Sequence, residues 1–157
     1  MEFERAKKYA AHLIAAKMYT CREIYQKLLR KGFDEETAEK TVDEFCRAGI
    51  LCDAQYAEMY IHDAVNINMK GMYRIKQELL KKGIASSIID KAIRSSEEDT
   101  YGQLLEYARM RFGDVQFSDR RELEKAKAHL LRRGYSYSEI KECFEELDIK
   151  VDRGEWY

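Results

Sequence analysis

The sequence predicts an all-α protein, an elongated array of three tandem three-helix modules with about nine helices and no sheet. Three observations carry this. The chain has no proline and only 8 glycines in 157 residues, so little in it interrupts a helix. Its apolar residues recur at helical spacing. And one pattern returns at a fixed period of 51 residues.

The repeat is the strongest signal. The segments IYQKLLRKGF (24–33), IKQELLKKGI (75–84) and AKAHLLRRGY (126–135) align without a gap and place Gly32, Gly83 and Gly134 at one register. Each glycine follows Leu-Leu and two basic residues and precedes an apolar one. Ala6, Ala57 and Ala108 align upstream, and Ala38, Ile89 and Ile140 align downstream.

Each copy reads as three short helices. In the first, helix one covers about 3–17. Thr20-x-x-Glu23 has the form of a capping box and opens helix two, about 21–31. Gly32 closes that helix, where a left-handed backbone costs glycine little. Asp34 then caps helix three, about 35–48. The second copy runs from Asp53 to about Ser96 with a loop near Asn68–Gly71, and the third from about Glu98 to Leu147 with a loop at Gly113–Phe117. The boundaries are therefore 1–51, 52–97 and 98–148, followed by an aperiodic tail, 149–157. Helices this short are marginal alone, so their apolar stripes must bury against neighbours and the modules are expected to stack.

Composition narrows the function classes. With 45% hydrophobic and 36% charged residues the chain suits a folded soluble domain, not a disordered tail or a fibre. No apolar run reaches the roughly 18 residues of a membrane span. The N-terminal stretch MEFERAKKYAAHLIAAK reads as an amphipathic helix, not a signal peptide. A cytoplasmic protein is expected.

The net charge of −1 conceals alternating bands: +5 over 1–33, −7 over 34–69, +5 over 70–94, −4 over 95–108, +4 over 109–133 and −4 over 134–157. The second helix of each copy lies in basic sequence, and the third helices of copies one and three lie in acidic sequence. Positions four and seven apart share a helix face. Such a face carries Lys70, Arg74 and Lys81 in copy two and, 51 residues on, Arg121, Lys125 and Arg132 in copy three. In copy one the same register holds Tyr19, Glu23 and Arg30, so the stripe fades. The candidate polyanion-binding residues are these two triplets with Lys82, Arg133, Arg30 and Lys31. The bland reading of the doublets Arg30-Lys31, Lys81-Lys82 and Arg132-Arg133 is complementation of the helix C-terminal dipole. Tyr9, Tyr56, Tyr60 and Tyr107 lie on first helices; they could stack on bases, but aromatics at this spacing are more often packing residues.

Chemistry is sparse. Cys21, Cys46, Cys52 and Cys143 form no C-x-x-C pair, and His12, His62 and His129 are scattered, so no zinc site is expected. The cysteines are expected to be reduced and mostly buried. There is no phosphate loop, G-x-S-x-G or H-E-x-x-H. Glu97-Glu98-Asp99 reads as an exposed linker or helix N-terminus. No catalytic residue, metal or cofactor is expected; the chain reads as a binding protein, not an enzyme.

The stretch TCREIYQKLLRKGFDEETAEKTVDEFCRAGILCDAQYA, followed by GMYRIKQELLKKGI, closely resembles the RecX family of bacterial recombinase regulators. The resemblance rests on Glu23, Leu28, Lys31-Gly32-Phe33, Gly49-Ile50-Leu51-x-Asp53, Tyr56-Ala57, Arg74-Ile75, Glu78-Leu79 and Lys82-Gly83-Ile84, and is strongest over about 20–95. Two departures stand out. Gly71-Met72-Tyr73 replaces the family's common Gly-Pro-like pair, and Ala64-Val65-Asn66-Ile67 stands where basic residues often end the fourth helix. The resemblance implies tandem three-helix modules. It also implies a monomer that binds RecA and the RecA–single-stranded DNA filament, typically in the filament groove, with weak direct DNA binding at most. Through that contact it would restrain ATPase, strand-exchange and coprotease activities, and so regulate DNA repair, recombination and the SOS response. The alternatives are a helical DNA-binding regulator acting independently of RecA, and a protein-only scaffold.

Overall fold

The computed structural model describes residues 1–152, and the end of the tail, 153–157, lies outside the described residues. Among the described residues there are nine helices: α1 (Glu2–Ala16), α2 (Cys21–Lys31), α3 (Glu35–Arg47), α4 (Asp53–Asn66), α5 (Met72–Lys81), α6 (Ser86–Ser95), α7 (Thr100–Phe112), α8 (Arg120–Arg132) and α9 (Tyr137–Glu146). Extended pairing is limited to one isolated parallel bridge, Phe117 to Val151, so the described part of the tail is tied down without forming a strand.

Local chemistry starts and stops these helices, and the Thr20 box, the Asp34 cap and the repeat glycines stand as the sequence predicts. Thr20 Oγ1 accepts from the Glu23 amide at 3.1 Å, and the Glu23 carboxylate accepts from the Thr20 amide at 2.9 Å, a complete capping box. Asp34, Asp99, Asp119 and Ser136 cap α3, α7, α8 and α9 through their side-chain oxygens. The repeat glycines end the second helices in the left-handed region, with φ of 109° at Gly32, 88° at Gly83 and 102° at Gly134.

The residues of one register are buried together. Ala6, Ala57 and Ala108 are all fully buried, as are Leu28, Leu79 and Leu130. Alanine at this register lets the first helix of a copy lie close to its neighbours, and α1 packs on both α2 and α3, α7 on α9. In the first copy Ala6, Ile24, Leu28, Phe33, Ala38 and Phe45 share one core. In the third, Ala108, Ala126, Leu130, Tyr135, Ile140 and Phe144 share another.

The chain forms two compact units: Met1–Tyr60 with Glu78–Ser95, and Ile61–Gln77 with the residues from Ser96 onward. Helices α4 and α5 each contribute to both. Within the first unit, the α2 N-terminus meets the turn between α5 and α6: the Thr20 hydroxyl donates to the Lys82 carbonyl at 2.8 Å, and the Arg22 side chain lies against Gly83. Within the second, the equivalent contact recurs 51 residues on. The Gly71 amide donates to the Arg133 carbonyl at 2.9 Å, and the Tyr73 amide to the Gly134 carbonyl at 3.1 Å. The repeat glycine thus has two roles, a helix stop and a seat for the start of another second helix. At Gly32 nothing lies within 4 Å of where a Cβ would stand, so there only the first role operates.

Candidate polyanion interface

The basic doublets separate into two kinds of residue. Lys31 Nζ lies over the Tyr9 ring at 5.3 Å, Lys82 Nζ over Tyr56 and Tyr60 at 5.8 and 5.7 Å, and the Arg133 guanidinium over Tyr107 at 4.3 Å. Tyr9 and Tyr60 share one repeat register, Tyr56 and Tyr107 another. In all three copies the second basic residue therefore caps a half-buried first-helix tyrosine. The first member, Arg30, Lys81 or Arg132, is exposed, and in copy one so is Lys31. The tyrosines are half-buried packing residues, and two have engaged hydroxyls: Tyr107 Oη lies 2.7 Å from His129 Nε2, and the Tyr60 hydroxyl donates to Glu78.

Arg133 is held most tightly. Its guanidinium donates to the carbonyls of Asn68 and Met69, and Tyr135 Oη donates to the Met69 carbonyl at 2.6 Å. Met69 has φ 49°, an uncommon backbone for a residue with a side chain, and this double grip fixes it. Arg133 secures the α4–α5 loop and is not presented to a ligand.

The Lys70–Arg74 end of the stripe differs from expectation. Both residues are half-buried and both have partners within the chain. Arg74 packs on the Gly134 turn, its Cβ 2.5 Å from where a Gly134 Cβ would stand. In copy one the stripe fades because Glu23, at the register of Arg74 and Lys125, is spent on the capping box.

The exposed cations that do converge are on the third copy. A groove of about 640 Å³ between the end of α7 and α8 is lined by Arg111, Lys125, His129 and Arg132 over Phe112, Val115, Phe117 and Ala126. Lys125, His129 and Arg132 follow the four- and seven-residue spacing of one α8 face. Glu122 is the one carboxylate lining it, and its Oε2 accepts from the Ser118 amide and hydroxyl, both at 3.1 Å. His129 registers the local field: burial lowers its pKa, and the charges of Arg111, Arg133 and Arg132 lower it further. Arg121 is exposed on the first turn of α8 and is not among the lining residues.

Arg111 was missed in the sequence reading, although a signal existed: it stands at the register of Tyr9 and Tyr60, where a cation replaces an aromatic. The acidic trio lies at a helix N-terminus, one of the two readings the sequence allowed. The Glu98 carboxylate meets His62 Nδ1 at 2.7 Å and accepts from Asn66 at 2.6 Å, while Asp99 caps α7. A second, larger hollow of about 790 Å³ near α8 and the described tail has mixed charge, including Arg120, Glu124, Lys127 and Asp152. The expectation of mostly buried cysteines is corrected: Cys143 alone is buried, Cys21 and Cys52 are half-buried and Cys46 is exposed. No helix among the described residues is long and apolar enough to cross a membrane.

Comparison with known proteins agrees with this architecture. Family models described as the first, second and third three-helix domains of RecX match residues 6–45, 53–93 and 97–144. Regulatory protein RecX of Halorhodospira halophila is 30% identical over 151 residues, covering 96% of this chain and 93% of that protein. Regulatory protein RecX of Trichlorobacter lovleyi is 34% identical over 143 residues, covering 87% and 92%. The crystal structure of RecX from Lactobacillus salivarius superposes with a TM-score of 0.80 at 25% identity, over 95% of this chain and 98% of that one.

Proposed function

The chain belongs to the RecX family of regulatory proteins, and we propose that it regulates RecA by binding the RecA–single-stranded DNA filament. The expected sense is inhibition of the ATPase, strand-exchange and coprotease activities. One observation carries the choice of surface: Arg111, Lys125 and Arg132 converge on a groove whose one carboxylate is already engaged. An excess of positive charge over an apolar floor suits a polyanionic partner. Of the ten cations the sequence offers, Lys125 and Arg132 are the primary contacts in this reading, with Arg121 beside them on α8. On the other unit Lys81 and Arg30 are secondary. Lys31, Lys82 and Arg133 serve packing, Arg74 serves the junction, and Lys70 is half-buried with a partner within the chain. The protein needs no chemical step for this role; it works as a cytoplasmic monomer by occupying the filament.

The test is a three-way binding comparison using single-stranded DNA, RecA alone and the assembled filament, with RecA ATPase measured in parallel. The reading requires the filament to bind best and the ATPase to fall. Equal affinity for free DNA and filament would favour a DNA-binding regulator independent of RecA. Binding to RecA alone without discrimination would favour a protein scaffold.

A further inference from the structure

Cys21 begins α2 and Cys46 lies in the last turn of α3, 25 residues apart in sequence. Their sulfurs are 3.0 Å apart, within about 1 Å of the bonded separation of ~2.05 Å. The pair occupies a junction of the first unit. The Cys21 amide donates to Asp53 Oδ1 at 2.9 Å at the start of α4, and the neighbouring Thr20 hydroxyl donates to Lys82. The other two thiols differ in setting: Cys143 is buried in the core of the third copy, and Cys52 is half-buried.

We propose that Cys21 and Cys46 are an oxidation site, a dithiol that closes to a reversible intramolecular disulfide when the protein meets a peroxide. The inference is independent of filament binding, so either can fail alone.

The exposed Cys46 is the entry thiol. Its sulfur attacks one peroxide oxygen, the O–O bond breaks, and the other oxygen leaves as water once protonated. Cys46 is left as a sulfenic acid. The Cys21 sulfur, already in contact, then attacks the Cys46 sulfur. The S–S bond forms, the S–O bond breaks, and the hydroxyl leaves as a second water with the Cys21 proton. Two thiols and one hydrogen peroxide thus give one disulfide and two waters, and a dithiol reductant reverses the change.

The division of labour follows from the surroundings. A cysteine at a helix N-terminus ordinarily has a lowered pKa. At Cys21 burial opposes this, reinforced by the hydrogen bond with Cys46 and the charge of Asp53, and the thiol pKa is strongly raised. Cys21 is therefore slow toward peroxide, and its part as the resolving thiol rests on its 3.0 Å contact with Cys46, which offsets its low thiolate fraction. The bond would join the last turn of α3 to the start of α2, stiffening the base of the contact between α2 and the α5–α6 turn.

The experiment treats the full chain with one equivalent of hydrogen peroxide, then counts thiols with a maleimide, maps linked peptides and measures the melting temperature with and without dithiothreitol. Wild type is expected to lose two of its four thiols, counted after denaturation, and to yield one linked pair containing Cys21 and Cys46. Its Tm should rise by roughly 5–10 °C, reversibly. Cys52→Ser should behave like wild type. Cys46→Ser and Cys21→Ser, folded by circular dichroism in the reduced state, should form no intramolecular bond. Over-oxidation of Cys46, a Cys46–Cys52 bond, a bond between two chains or four persisting thiols would each overturn the assignment.

Discussion

Gly71 and Gly134 meet backbone to backbone: a Cβ on Gly71 would stand 2.2 Å from the Gly134 carbonyl carbon, and a Cβ on Gly134 would stand 2.5 Å from the Arg74 amide nitrogen. The contact lets α5 start directly on the turn that ends α8. Gly134→Ala should cost roughly 3 kcal/mol, combining left-handed strain of about 1–2 kcal/mol with overpacking of about 1–3 kcal/mol. Gly32→Ala, with the same backbone strain and open space around it, should cost only about 1 kcal/mol. Gly83→Val should fall nearer the Gly134 variant, because Arg22 Cβ and Cδ occupy its space at 2.6 and 2.1 Å. Denaturant unfolding of the three variants checks the order. Equal losses at Gly32 and Gly134 would remove the second role assigned to the repeat glycine.

The two arginines of the last doublet should separate on mutation. Arg133→Ala removes the grip on the Asn68 and Met69 carbonyls and uncovers the Tyr107 ring, and should cost about 2 kcal/mol. Arg132→Ala, on an exposed side chain, should stay within about 0.5 kcal/mol of wild type. Thermal melts of both variants decide it; a neutral Arg133→Ala would show that the loop does not depend on that guanidinium.

The His62–Glu98 pair should be visible as a shifted titration. Hydrogen bonding and the charge of Glu98 raise the His62 pKa, while bonds from Asn66 and His62 lower that of Glu98. With the His62 pKa raised, its contribution to stability is full below the ordinary histidine value and is lost as pH rises through the folded value. With the Glu98 pKa lowered, its contribution is present above the ordinary glutamate value and is lost as pH falls through the folded value. The pair is fully charged between these limits. Following the His62 ring protons by NMR in wild type and Glu98→Gln, the midpoint should drop in the variant. An unchanged midpoint would mean the contact is not formed in solution.

His129 should titrate the other way. Burial and three nearby arginines lower its pKa, so it stays neutral where a free histidine begins to charge. Stability should therefore fall as pH drops from the ordinary histidine value toward the folded one, because the unfolded chain takes up that proton first. Arg111→Gln should raise the His129 midpoint. If it does not, Arg111 is not close enough to share the groove.

Most of the helical frame was legible in the sequence because its signals are local: the Thr20–Glu23 box, the cap at Asp34, and glycines at one register. Pairings that depend on how one helix is rotated against another were not. Lys31, Lys82 and Arg133 look identical to Arg30, Lys81 and Arg132 along the chain, and only the tyrosines 22 to 26 residues upstream distinguish them. Arg74 looks like a surface cation until Gly134 is placed beneath it. Cys21 and Cys46 belong to no cysteine motif, since their meeting requires the α2–α3 turn to bring opposite helix ends together. The groove is not legible along the chain because Arg111 comes from a first helix and Lys125 and Arg132 from a second.

The central claim is that Lys125 and Arg132 present the charge that engages the RecA–DNA filament. The most direct test is filament binding by Lys125→Glu/Arg132→Glu at two salt concentrations, beside wild type. Both side chains are exposed, so the variant should remain folded. Its affinity should drop by about tenfold or more, as attraction becomes repulsion. If phosphates are the partner, the conservative pair Lys125→Gln/Arg132→Gln should also flatten the dependence of log affinity on log salt by about 2, roughly one for each lost contact. A shallower change, with poor binding to free DNA, would point to acidic RecA side chains as the partner. A folded charge-reversed protein that binds with wild-type affinity at both salt concentrations would contradict the account.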